Sequence, residues 1–162
     1  MMIMVIGALA ATLFLLSLMS RRRFGTLGLA LAAGALLAST LARDISSLLS
    51  SYDIPTGSIP YLTAAKILLI TLPPLLLLLS GPSYPSRKSA LLGSICFGLL
   101  GTLLLLGPIS EIVPYDDQAR LLLSTISPYT NSALALLVGF AIVDTWLTHT
   151  SNSLRPTNKK KS

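Results

Sequence analysis

The chain has 162 residues, of which 52% are hydrophobic and 11% charged, with a mean hydropathy of +0.76. A water-soluble surface carries about 25–35% charged residues, so this composition cannot cover a globule, and lipid has to be the main solvent. The net charge is +6, and the single cysteine and histidine, Cys96 and His149, leave no disulfide framework, no thiolate cluster and no site built on several histidines.

In chain order, the first apolar run, 1–20, lacks a positive leader and is followed by Arg21-Arg22-Arg23, as a stop-transfer signal would be. It is read as a retained helix. The second, 24–42, is rich in Gly and Ala. After it, Ile45, Leu48, Leu49 and Tyr52 keep the i, i+3, i+4, i+7 spacing of one helical face. A short amphipathic helix is therefore expected, capped by Asp44 and ended by Pro55 and Gly57. The third run, 61–80, holds Lys66 and the pair Pro73-Pro74, and the fourth covers 89–109. Ala119, Leu122, Leu123 and Ile126 form a second amphipathic stretch, with Asp116 and Asp117 in its first turn and Pro128 as its stop. The fifth run, 132–148, carries Asp144, and a polar basic tail, 149–162, ends the chain.

Runs of roughly 20 residues match a hydrocarbon core about 30 Å thick at about 1.5 Å per residue. The expected fold class is thus an all-α integral membrane protein: one domain over 1–148, with about five transmembrane helices and two short amphipathic helices at the outer interface. On a five-span path nine of the twelve basic residues fall on one side, namely Arg21, Arg22, Arg23, Arg87, Lys88, Arg155, Lys159, Lys160 and Lys161. The positive-inside rule then predicts the N-terminus outside and the C-terminus in the cytoplasm. These basic groups sit in short clusters at the ends of apolar runs with no interleaved aromatics, which argues for anionic lipid head groups as partners and against nucleic acid.

The order of basic cluster, small-residue span, amphipathic helix and returning span occurs at 21–80 and again at 87–148, as a parallel repeat would give. Within it, Ala30, Gly34 and Ala38 recur every four positions, as do Ser94, Gly98 and Thr102, with Gly93 and Gly101 on a neighbouring row. Such faces let helix backbones approach closely, within one bundle or between membrane subunits, including copies of this chain.

Lys66 and Asp144 are the ionisable groups inside spans, where charge is costly and by default functional. Lys66 lies near its outer end, within reach of Asp53 or Glu111. Asp144 lies near its inner end beside Trp146, so the two are expected too far apart to pair. Pro73 and Pro74 deprive the carbonyls of Leu69 and Ile70 of their helical partners. In lipid those oxygens need a neighbouring helix, water or a hydroxyl such as that of Thr71. Either the segment is a kink packed on another span, or it is a discontinuous helix lining a site, as in transporters. No phosphate loop, HExxH or GxSxG pattern occurs, so the reading is non-enzymatic, with no catalytic residue, cofactor or metal expected.

Residues 1–109, with the basic turn SRRRFGTLGLALAAGALLA, the polar outer helix, the Leu-rich third span and the Gly-rich LLGSICFGLLGTLLLL, resemble the colicin V production protein family of bacterial inner-membrane proteins. The resemblance implies a bacterial cytoplasmic membrane and an accessory role in envelope or secretion machinery. It supplies no catalytic residues. The alternative expectation is a small transporter or channel subunit with a proline-broken third helix.

Overall fold

The computed structural model describes residues 2–20, 23–57, 59–80, 87–113 and 117–153. Among these there is no strand, and five α-helices follow one another: α1 (Met2–Ser20), α2 (Phe24–Ser51), α3 (Tyr61–Ser80), α4 (Arg87–Ile112) and α5 (Asp117–Ser153). All five are long and apolar enough to cross a membrane. This is the signature of a multi-pass membrane protein. The surface agrees, because Leu36, Leu76, Leu79 and Leu136 are largely exposed, a leucine coat that water would penalise.

α2 and α4 occupy the middle. α3 packs on α2 over the most extensive interface, α1 packs on α4, and α5 rests mainly on α2. The core is accordingly built from Phe24, Leu27 and Leu31 of α2, Ile70 of α3, Phe97, Leu100 and Leu105 of α4 and Ala141 of α5. α3 and α5 run antiparallel to α2, and α1 antiparallel to α4, whereas the central α2 and α4 run parallel to each other. One end of the bundle, where Arg23 precedes α2 and Arg87 and Lys88 open α4, is termed the basic end. The other carries Lys66 and Glu111 and is termed the acidic end.

The two amphipathic segments are helical, but neither is a separate element. α2 runs through Asp44 to Ser51, and at about 1.5 Å per residue its 28 residues extend about 42 Å, some 12 Å beyond an average hydrocarbon core. No Gly or Pro lies between Ala35 and Ile54 to stop it. Asp44 is therefore a mid-helix residue, not a cap. The helix ends before Pro55, by a Schellman closure: the Asp53 N–H donates to the Ser50 carbonyl at 3.3 Å and the Ile54 N–H to Leu49 at 3.2 Å. Asp53 takes the left-handed conformation this requires, with φ of 47°.

Likewise α5 reads through Pro128 and reaches Ser153, a 37-residue helix of about 55 Å that absorbs the second amphipathic stretch, the fifth span and the start of the tail. Pro128 is exposed, so the carbonyl it leaves unpaired, that of Ser124, is not sealed inside the protein. The expected stop at Pro128 fails for that reason. α4 similarly continues through Pro108 to Ile112.

Candidate functional site

α3 is helical without interruption from Tyr61 to Ser80, with both prolines inside it. Pro73 and Pro74 each lack an N–H, which frees the Leu69 and Ile70 carbonyls one turn earlier. The structure brings Gly34 of α2 onto these same two oxygens. A Cβ at Gly34 would stand 2.7 Å from the Leu69 oxygen and 2.8 Å from the Ile70 oxygen, closer than any side chain can approach. The Cα–H of Gly34 occupies that position and offers a weak donor where the prolines offer none. Ala30 and Ala38, four residues to either side, are also buried. The small-residue face of α2 and the proline pair of α3 are thus two halves of one contact. Thr71, the expected local donor, does not serve the freed carbonyls: its hydroxyl donates to Ile67 at 2.7 Å.

The second small-residue face has a different partner. Gly98 of α4 lies against Ala10 and Phe14 of α1, and Gly101 against Leu13. Ser94 and Thr102 are buried and turn their hydroxyls onto the carbonyls of Ala90 and Gly98 in their own helix, at 2.8 and 2.6 Å. Both hydroxyls are thereby satisfied within α4 itself.

At the acidic end, Thr63 and Lys66 stand three residues apart on α3, hence on one face, and both reach Glu111 of α4. The Lys66 ammonium donates to Glu111 Oε1 at 2.6 Å, and the buried Thr63 hydroxyl to Oε2 at 2.6 Å. Of the two acids within sequence reach of Lys66, Glu111 is the partner, while Asp53 closes α2. Both members of the pair keep contact with the surroundings, at 29% and 40% side-chain exposure, so this is a clip at the rim, not a charge buried at mid-bilayer.

Asp144 does comparable work at the basic end. The residue preceding α2, Arg23, makes no side-chain cap. The first-turn N–H of Gly25 instead donates to Asp144 Oδ2 at 2.8 Å, a cap supplied by a residue 119 positions away. The carboxylate also faces the positive end of the α2 dipole. Two glycines let α5 come this close. A Cβ at Gly25 would meet Thr145 Oγ1 at 2.5 Å and the Ala141 carbonyl at 2.8 Å, and one at Gly28 would meet Ala141 Cβ at 3.0 Å. Lys66 and Asp144, at opposite ends, are not brought together.

Gly25, Gly28, Thr63 and the capping role of Asp144 escaped sequence reasoning. The i, i+3 glycine pair of FGTLG was a usable signal for a close approach, but nothing local named α5 as the partner. Among the anionic-lipid candidates, Arg23 precedes α2, and Arg87 and Lys88 open α4. Arg21, Arg22, Lys159, Lys160 and Lys161 lie outside the described residues.

Two cavities accompany these contacts. One of about 640 Å³ lies between α4 and α5 toward the acidic end, with Thr102, Ser124, Ser127, Thr130 and Asn131 in its wall. The hydroxyls of Ser124 and Thr130 donate back to carbonyls of α5 itself. The other, about 260 Å³ and almost wholly apolar, lies between α1 and α3. Among the described residues, no three of His, Cys, Asp and Glu come together so as to hold a metal ion. In comparisons with protein-family models, with curated proteins and with solved structures, the chain matches none.

Proposed function

We propose that the chain is a non-enzymatic, multi-pass component of the bacterial cytoplasmic membrane, structural or accessory to envelope or secretion machinery. Its N-terminus lies outside and its C-terminus in the cytoplasm, which puts the basic end inside. The observation that carries this reading is how the in-span ionisable groups are used. Lys66 joins α3 to α4 through Glu111, and Asp144 joins α5 to α2 through Gly25. Groups used to clip helices together are architecture, and the resemblance of residues 1–109 to the colicin V production family points the same way.

α5 adds a surface for assembly. It is held chiefly by α2, while Leu121, Leu136, Phe140, Val143 and Trp146 remain exposed along it. A partner subunit or a second copy can pack there. Co-purification in mild detergent tests the reading. Recovery of defined membrane partners that are lost when Leu136 and Phe140 are replaced by alanine supports it. A monomer without partners, together with a deletion strain of unchanged envelope, overturns it.

A second reading, a small transporter or channel subunit, is favoured by the hydroxyl-lined cleft between α4 and α5. It cannot rest on a broken third helix, because α3 is continuous. It predicts flux in reconstituted vesicles that falls when Asn131→Leu and Ser127→Leu close the cleft, whereas the structural reading predicts no flux in either protein.

A further inference from the structure

The apolar groove between α1 and α3 opens sideways from the bundle. Its rims, Leu16 on α1 and Leu75 on α3, are 44% and 51% exposed. Its floor is Leu31 of α2 with Phe97 and Leu105 of α4, which are between 1% and 3% exposed. Among the described residues, α1 and α3 have little contact of their own and none bridges the gap between them. Thr71 is the one polar residue among the described lining residues, and its hydroxyl is taken up by Ile67.

We infer that this groove holds an acyl chain of an anionic phospholipid from the leaflet at the basic end, an inference that rests on the chain spanning a bilayer. Three observations point to that occupant. The first is chemistry, since the lining offers hydrocarbon and no free polar demand. The second is size: with a methylene close in volume to a water molecule, whose share of liquid volume is ~30 Å³, a space of about 260 Å³ takes roughly eight or nine methylenes, part of one chain. The third is position and charge. Leu16 is four residues from the end of α1 and Leu78 two from the end of α3, so the groove reaches within about 6 Å of the basic end. There Arg87 and Lys88 begin α4. A lipid whose chain enters the groove sets its phosphate at that level, where basic residues attract an anionic head group. Such a lipid fills the gap between α1 and α3 and joins the two outer helices to the central pair.

The test is native mass spectrometry of the full-length protein, purified with equimolar phosphatidylglycerol and phosphatidylethanolamine of matched chains. The expected result is one retained lipid, with phosphatidylglycerol preferred about tenfold. Filling the groove with Leu16→Phe and Leu75→Trp should cut retention about tenfold, while Leu36→Trp on the exposed face of α2 leaves it unchanged. The double substitution Arg87→Gln, Lys88→Gln should keep a lipid bound but abolish the preference. Equal retention by the filled and unfilled proteins overturns the inference, as does a wild-type protein that takes both lipids equally. So does a dimer that the filled variant converts to monomer, because a second copy would then cover the groove. If the filled variant fails to fold by circular dichroism, the charge variant decides the matter. Alkaline carbonate extraction separates the two levels: a chain that leaves the membrane defeats the multi-pass reading, whereas an inserted chain without lipid preference defeats the lipid site alone.

Discussion

Residues 21–80 and 87–148 follow one linear plan, and the structure packs them differently. In the first unit, α2 and α3 form the closest helix pair of the molecule, with Gly34 set onto the Leu69 and Ile70 carbonyls. In the second, α4 and α5 scarcely meet: α4 gives its small-residue face to α1, and α5 crosses to α2. The two returning helices, α3 and α5, also differ in where they place a proline. Pro73 and Pro74 free two carbonyls in the middle of a span, where lipid offers nothing, so another backbone has to come close. Pro128 is exposed near the acidic end of α5, and its freed carbonyl makes no such demand on α4. Small residues permit a close approach. At Gly34 the close partner is the pair of carbonyls that the prolines leave unpaired.

The comparison breaks most sharply at its two matched glycines. Gly34→Ala should destabilise the protein by about 1–3 kcal/mol, because its Cβ would press on backbone oxygens at 2.7 and 2.8 Å that cannot turn aside. Gly98→Ala, at the equivalent place in α4, meets its nearest atom, the Ala10 carbonyl oxygen, at 3.4 Å. It should be neutral, or stabilise by up to about 1 kcal/mol through better helix propensity. Thermal unfolding in detergent measures both, and equal losses would mean that the two units pack alike after all.

The next effect is at the joint between units. Asp144→Ala removes the cap on α2 and should cost about 1–2 kcal/mol, with Asp144→Asn costing less because an acceptor oxygen remains. Trp146, the only tryptophan, lies two residues away and reports the event: its emission should shift as α5 loosens from α2, whereas Gly98→Ala leaves it unchanged.

These contrasts mark what was legible in the sequence. Five spans were, because hydropathy averaged over about 20 residues is a strong signal and the bilayer fixes the length. The ends of α2 and α5 were not. Asp44 and Pro128 were read by rules for caps and stops drawn from helices in water, but a helix that has already crossed a membrane can continue beyond it. Glu111 could be named as a partner for Lys66, since both lie at the same depth. The pairing of Asp144 with Gly25 and of Gly34 with the prolines could not, because periodicity assigns a residue to a face and is silent about which helix faces it. Asp53 is a smaller instance. Its left-handed φ of 47° was invisible in SSYDIP, and Asp53→Gly should stabilise the end of α2 by about 0.5–1 kcal/mol in the same unfolding assay.

The smallest expected effect concerns the clip between α3 of the first unit and α4 of the second. Lys66 and Glu111 are close, but both are partly exposed, and pairs of that kind are worth about 0–1 kcal/mol. A double-mutant cycle with Lys66→Ala and Glu111→Ala should therefore give a coupling below about 1 kcal/mol. Thr63 complicates the single variants in an informative way. Glu111→Ala strands its buried hydroxyl, whereas Lys66→Ala leaves Thr63 bonded to the carboxylate, so the glutamate variant should be the less stable of the two. If the coupling instead exceeded about 2 kcal/mol, the pair would be acting as a desolvated ion pair, in which breaking one partner is strongly destabilising. The two units would then be bound at the acidic end as firmly as α2 is bound to α3, and their difference would lie in the middle of the membrane alone.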